Sequence, residues 1–169
     1  AIIITAASLH YYALPNGTET VIEYVAAYLF GLFIFQALFM LGMFKSYFEA
    51  VKRSLFAETV SMNLVMCGML PVIFITRALY PPASDPLGPT FWGMMSAATL
   101  VGFITGYPIN SWMVKRGLKH GMMSRGMGHH HHEAGTISPA KSWWIVIWTY
   151  ALLIGAVWLM LALGYNFSI

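Results

Sequence analysis

The sequence has very few charged residues, and this shortage excludes an ordinary water-soluble domain. Only 9% of the 169 residues are charged, whereas 59% are hydrophobic. A soluble domain carries charge on about a quarter of its residues. We therefore expect the chain to lie in a lipid bilayer. At about 20 residues for each membrane-spanning helix, its length allows four spans with their loops.

The residue sets of common catalytic and cofactor sites are also missing. The single cysteine, Cys67, excludes an intrachain disulfide and a thiolate metal cluster. No apolar segment has a histidine in its core, which argues against axial ligation of haem or bacteriochlorophyll. We find no carboxylate pair, nucleophile–base pair, Walker sequence or glycine-rich dinucleotide loop. We therefore expect no enzymatic activity and no certain cofactor.

Four apolar segments predict an all-α, integral membrane four-helix bundle. The predicted helices cover residues 21–44, 55–79, 90–113 and 143–163. Residues 1–20 are expected to form an extracytoplasmic or interfacial segment, followed by a transmembrane domain over residues 21–169. Pro71 lies within the second span and predicts a kink there, because proline lacks the N–H of a regular helix.

Basic residues in the loops predict the orientation of this bundle. Lys45, Lys52 and Arg53 lie between the first two spans, and residues 114–142, between the last two, are also basic. Only Arg77 lies on the opposite side. Basic loops stay in the cytoplasm, so both termini are expected outside. The few positive charges are thus interpreted as topology signals, and we expect no nucleic-acid partner.

Small residues in the third span predict a helix-packing face, and aromatic residues in the fourth predict contact with lipid. Ala98, Gly102 and Gly106 recur every four residues, which places a smooth strip on one side of the helix. The fourth span has no charge, and three of its tryptophans crowd one end while Trp158 lies toward the other, as in an interfacial aromatic belt. It is therefore expected to be the span most exposed to the bilayer.

Three polar side chains lie within the predicted spans: Gln36, Glu58 and Asn63. The amides of Gln36 and Asn63 are expected to hydrogen-bond across the first two helices. Glu58 has two open interpretations. It either reaches the interface near the basic loop, or acts as an intramembrane proton site or helix tie.

The residues Tyr107, Pro108, Asn110 and Trp112 predict a broken helix near the cytoplasmic surface. Pro108 disrupts the bond to the Ile104 carbonyl, and Asn110 is a polar group suited to satisfy freed backbone. Such a break either binds a ligand or ends the span and turns the chain.

Methionine and histidine residues form a candidate site for a soft metal, copper first of all. The candidate ligands in the loop of residues 114–142 are Met122, Met123, Met127, His129, His130, His131 and His132. Imidazole and thioether groups both suit copper. Met62, Met66 and Met69 also share one face of the second span. The simpler alternatives are a solvated loop and ordinary methionine packing.

Residues 25–123 resemble a prokaryotic membrane family, domain of unknown function 4396, most clearly in its C-terminal half. The shared motifs are an opening similar to Asp-Pro-x-Phe-Trp, a Tyr-Pro-x-Asn-x-Trp turn and an Arg-Gly-x-x-His run. The matching residues are Asp85, Phe91, Trp92, Tyr107, Pro108, Asn110, Trp112, Arg116, Gly117 and His120. The resemblance implies a multi-pass protein of the prokaryotic inner membrane. Many relatives carry a His-Cys-x-x-Gly-Cys motif that this chain lacks, so no metal role is inherited from it.

Together these features favour a non-catalytic accessory subunit of a larger membrane complex. Its expected partners are the lipid bilayer and other membrane subunits, with bound lipids or pigments as neighbours. The complex could be a respiratory, photosynthetic or copper monooxygenase assembly. The alternative is a copper-handling membrane protein that uses the methionine and histidine loop. A third hypothesis is an oligomeric channel or transporter that uses Glu58 and Gln36.

Overall fold

The computed structural model describes residues 16–36, 47–118 and 138–165, and these parts of the chain are helical with short turns. Helix α1, Asn16–Leu29, continues into a π-helical segment, Phe30–Gln36. Helix α2 is Tyr47–Leu79, α3 is Pro89–Lys115 and α4 is Pro139–Ala162. A short 3-10 turn, Pro81–Ser84, lies between α2 and α3.

The predicted all-helical class is confirmed, with helices that begin earlier than the apolar segments alone indicate. Helix α2 begins at Tyr47 rather than at residue 55, because the polar sequence before Ser54 also has good helix formers. The end of the predicted span 21–44 lies outside the described residues. Among the residues that the structure describes, two stretches are long and apolar enough to cross a membrane, Ser54–Leu79 and Pro139–Ala162.

Proline and glycine determine where these helices end. Pro81 disfavours the helical conformation at Tyr80, and α2 ends just before it. Pro89 opens α3, where its missing N–H costs no helical bond. Helices α3 and α4 are each followed by a left-handed glycine, Gly117 with φ 67° and Gly164 with φ 84°. In both, the N–H after the glycine bonds to a carbonyl five residues earlier, which satisfies the helix end.

The structure differs from the predicted helix break at Tyr107–Trp112. Helix α3 runs through Pro108 without interruption, just as α2 runs through Pro71. The Asn110 side chain donates a hydrogen bond to the Gly106 carbonyl at 2.9 Å, within the turn that contains Pro108. This bond does not reach the Ile104 carbonyl, whose usual N–H partner Pro108 lacks, so it adds a polar contact near the proline without replacing the lost bond.

Helix α2 is the central helix of the described bundle. Helices α3 and α4 both pack on α2, and among the described elements they make no backbone contact with each other. The π-helical segment supplies most of the N-terminal contact with α2. One buried cluster joins α2 to α3 through Met66, Met69, Leu70, Ile73, Phe74, Ala83, Phe91, Met94 and Ala98. A second, smaller cluster consists of Ala57, Val60 and Met113.

The small residues Ala98, Gly102 and Gly106 form the face of α3 that meets α2, and all three are buried. A Cβ atom on Gly102 would lie 2.7 Å from Cγ of Met69. One on Gly106 would lie 2.7 Å from a Cγ atom of Val65. The two helices therefore approach too closely for any side chain at these glycines, as in other close membrane-helix contacts.

Helix α4 presents most of its apolar surface outward. Only 11% of an 18-residue stretch of α4 is buried, against 56% for α2. Trp143, Trp148 and Trp158 are 68%, 64% and 68% exposed. Its buried residues are Thr149 and Met160. Helix α4 thus contacts its own chain along a narrow strip and leaves its tryptophans on the outside.

Candidate functional site

Helix α2 carries alternating polar side chains that bond to the neighbouring helices. Thr59, Ser61 and Asn63 are all buried. Residues four apart share a face of an α-helix, so Thr59 and Asn63 both meet α1, whereas Ser61 points the other way and meets α3. We call them and their partners the polar hub, which consists of Tyr24, Tyr28, Thr59, Ser61, Asn63, Asn110 and Thr149.

Asn63 joins three helices through a single amide group. It is fully buried, with 0% of its surface exposed. The Tyr24 hydroxyl of α1 donates to Asn63 Oδ1 at 2.6 Å. Asn63 Nδ2 donates to Thr149 Oγ1 of α4 at 3.1 Å, and Thr149 donates in turn to the Val146 carbonyl at 2.8 Å. The amide thereby connects α1 and α4 to the central helix.

Thr59 and Tyr28 form a second connection between α1 and α2. The Thr59 hydroxyl donates to the Leu55 carbonyl at 2.7 Å, so its proton is already used within α2. Tyr28 must therefore be the donor in its 2.8 Å bond to Thr59 Oγ1. The rings of Tyr24 and Tyr28, one turn apart, stack with their centroids 6.4 Å apart. This tyrosine pair fixes which face of α1 meets α2.

Ser61 connects the central helix to α3. Its hydroxyl donates to Asn110 Oδ1 at 3.0 Å. Asn110 is thus a partner of α2, and its amide nitrogen bonds the α3 backbone at the same time. The residue that sequence reasoning assigned to a helix break has a role in helix association instead.

Glu58 lies at the contact between α2 and the π-helical segment. A Cβ atom on Gly31 would collide with the Glu58 carboxylate, so any side chain there would have to displace the end of the Glu58 side chain. Tyr28 is near enough for an electrostatic interaction with Glu58. The Tyr47 hydroxyl, at the start of α2, donates to the Phe33 carbonyl of the π-helical segment at 2.6 Å. π-helical turns are rare and frequently occur at functional sites, which makes this contact part of the candidate site.

Two further buried polar residues of α1 lie beside the polar hub. Thr20 is 5% exposed and Glu23 is 8% exposed, and both make polar interactions. Because Tyr24 bonds to Asn63, Glu23 lies near the level of the middle of Ser54–Leu79. The sequence alone does not show that Glu23 is buried at this level, because the residue lies at the outer end of the predicted span 21–44.

Comparison with protein families identifies the part of the chain that carries most of this site. Residues 1–119 match the family described as Domain of unknown function (DUF4396). The chain belongs to the DUF4396 family. The family named from the sequence motifs is therefore confirmed, over a region that differs from the expected residues 25–123. No curated protein and no solved structure matched the chain significantly.

The DUF4396 match contains every residue of the polar hub except Thr149. Helix α4, which supplies Thr149, lies beyond the matched region. The hydroxyl and amide groups of the hub bond to one another and to the backbone. Chemically, this arrangement holds helices in a defined register, and it presents no pair of groups arranged as a nucleophile and its base among the described residues.

The described part of this DUF4396 chain tests some of the predicted polar and metal-binding residues and leaves others outside it. Asn63 bonds across to α1, but its partner is Tyr24, and the Gln36 side chain lies outside the described residues. Met66 and Met69 are buried in the core, and Met62 packs against it. Within the described ranges, no group of three or more His, Cys, Asp or Glu side chains could hold a metal. The candidate ligands Met122, Met123, Met127 and His129 to His132 lie outside the described residues and stay a prediction.

Proposed function

We propose that this DUF4396 chain is a non-catalytic accessory subunit of a larger membrane complex. In this proposal it crosses a prokaryotic inner membrane four times, with both termini outside. Two stretches with the length and apolarity of membrane spans support the location. The basic residues between the first two spans and between the last two support the orientation.

The observation that carries the proposal is the outward surface of α4. Trp143, Trp144, Trp148 and Trp158 are each more than 60% exposed on this helix. Exposed apolar patches on this scale mark surfaces that contact lipid or another protein. Tryptophan is also enriched in the energetically important centres of protein interfaces. We therefore assign α4 to the contact with another subunit.

The interior of the bundle supports a structural role rather than a catalytic one. Asn63, Thr59 and Ser61 use their polar atoms on neighbouring helices and on the backbone. Polar side chains of this kind stabilise membrane-helix association. The aromatic surface suits a respiratory, photosynthetic or copper monooxygenase assembly, in which helices pack beside other subunits, lipids or pigments.

Site-specific photo-crosslinking tests the proposed role of α4. A photoreactive phenylalanine analogue would replace Trp148 or Trp158, and the matched control would replace Phe103, which is 62% exposed on α3. We expect a discrete protein adduct from the α4 positions and migration above the monomer on a native gel. Lipid adducts alone at all three positions, with a solitary monomer in mild detergent, would contradict the accessory role.

Cysteine labelling tests the proposed orientation separately. In a Cys67→Ala background, single cysteines at Ser84 and Lys141 would report the two ends of the bundle. A membrane-impermeant maleimide added to intact cells should label the Ser84 position. The Lys141 position should react only after the membrane is opened. Labelling of both, or the reverse pattern, would show a different topology.

A further inference from the structure

The end of α3 and the start of α4 place exposed basic residues at one end of the central helix. Lys115, Arg116 and Lys141 are all exposed. Side chains from both helix ends pack on the cluster of Ala57, Val60 and Met113, namely Ile109, Trp112, Leu118, Ile145 and Val146. The two helix ends, with their cations, therefore lie at the same level of α2.

The turn after α3 holds Arg116 at the edge of this apolar cluster. Gly117, with φ 67°, reverses the chain, and the Leu118 N–H bonds to the Met113 carbonyl at 2.9 Å. Leu118 then packs on the cluster. The Arg116 guanidinium carbon lies 5.6 Å from the centre of the Trp112 ring. This stacking stabilises the cation without occupying the N–H groups at the edge of the guanidinium.

Lys141 lies on the same side as this cluster. It is one helical turn before Ile145, so the two share a face of α4. Because Ile145 packs on the cluster, Lys141 lies just beyond it toward the helix start. Next to it, Trp143 and Trp144 are 68% and 63% exposed. Basic residues beside exposed tryptophan are typical of the membrane–water interface.

We infer that this basic end binds the head group of an anionic phospholipid. Arg116 and Lys141 contact the phosphate, with Lys115 adding charge, and the acyl chains lie along the first turns of α4 and leave the rest of its outward face to another subunit. Charge complementarity selects an anionic head group, because polybasic segments bind anionic lipid surfaces electrostatically. The apolar surface beside the cations, which includes Trp143 and Ile147, favours a lipid over a free phosphate. The inference rests on the proposed membrane location, and it does not depend on the accessory role.

Native mass spectrometry of the full chain in mild detergent tests this inference. The probes are phosphatidylglycerol and phosphatidylcholine with identical acyl chains, and the variants are Arg116→Ala/Lys141→Ala and Arg116→Lys/Lys141→Arg. Each basic side chain near an anionic surface strengthens binding about fivefold. We therefore expect the double alanine variant to bind phosphatidylglycerol about 25-fold more weakly. The charge-retaining variant should bind it within about threefold of the original chain, since the net charge is unchanged.

Three results would overturn the inference. Equal binding of the two lipids by the original chain would remove the charge preference. Unchanged phosphatidylglycerol binding by the double alanine variant would place the head group elsewhere. Full competition by inorganic phosphate would identify the ligand as free phosphate instead of a lipid. A solitary monomer that still prefers phosphatidylglycerol would contradict the accessory role alone, so the two failures are distinguishable.

Discussion

The bonds of Asn63 give the sharpest test of the helix arrangement. Replacing Tyr24 by Phe removes the hydroxyl that donates to Asn63 Oδ1 at 2.6 Å and keeps the stacked ring. Replacing Thr149 by Val removes the acceptor that lies 3.1 Å from Asn63 Nδ2 and keeps the side-chain shape. Each substitution therefore deletes one bond between helices with little change of volume.

The expected size of the effect follows from hydrogen bonds between membrane helices. Such bonds stabilise by about 0.6 kcal/mol on average, and the strongest measured ones by about 1.7 kcal/mol. Asn63 is fully buried, so we expect values in the upper half of this range. Asn63→Ala should lower the free energy of unfolding by more than either single bond, because it deletes both and leaves a cavity.

A double-mutant cycle separates the bond from the cavity. Unfolding would be followed by circular dichroism during titration with a denaturing detergent, for Tyr24→Phe, Asn63→Ala and the double variant. We expect a coupling energy of about 1.2 to 1.7 kcal/mol between the two substitutions. The matched control is Tyr107→Phe, on an outward tyrosine of α3, which should change the free energy of unfolding by no more than about 0.5 kcal/mol. A coupling energy below about 0.3 kcal/mol would refute the Tyr24–Asn63 contact.

Three further predictions address packing, the π-helical segment and metal binding. Gly102→Ala should lower the free energy of unfolding by about 1 to 3 kcal/mol, because its Cβ would meet Met69 and Val65. The matched control is Gly93→Ala, where a Cβ atom meets open space, so this substitution should be neutral or stabilising by up to about 1 kcal/mol. Equal effects of Gly102→Ala and Gly93→Ala in the detergent titration would contradict the close packing of α3 on α2. Gly31→Ala should displace the Glu58 carboxylate and lower the free energy of unfolding. Adding Glu58→Ala to the same chain should restore part of that free energy. If it restores none, Gly31 and Glu58 are not in contact. If the loop handles copper, changing His129 to His132 to alanine should lower the copper content of the purified protein, as measured by elemental analysis. The matched control, Met66→Leu, should leave the copper content unchanged, since Met66 is part of the packed core. The same copper content in the histidine variant and the original chain would contradict the metal hypothesis.

The helical class could be predicted because it depends on local composition. Long apolar segments with proline and glycine at their ends predict helices, and Pro81, Pro89 and Gly117 do lie at helix boundaries. Pro108 shows where local reasoning is insufficient. Its missing N–H predicts a break, but α3 continues through Pro108 and packs on α2 along its length.

The polar hub could be predicted only in part, because its bonds join distant positions. Asn63 stands out as an amide within an apolar helix, but its Tyr24 donor lies 39 residues away. Gln36 was the more obvious hydrogen-bond partner for Asn63. Tyr24 was less obvious, because tyrosine at a membrane interface also occurs without any hydrogen-bond partner in the protein. Thr149 was an available signal that was missed, because it places a hydroxyl in the apolar middle of the fourth span. The contact of Gly31 with Glu58 depends on the helix pairing and has no signature in the sequence.

The position of Thr149 has a consequence for how the polypeptide could be divided. The region matched to DUF4396 ends at residue 119, yet the amide at its centre donates to a hydroxyl on the helix that follows. A cut in the connection between α3 and α4 would leave one fragment with an unsatisfied amide donor and the other with an orphaned acceptor, both in apolar surroundings. Each fragment alone would lack a hydrogen-bond partner that the other fragment supplies. Co-expressed pieces should consequently reassemble, and the unit that folds cooperatively extends past the limit of the family match.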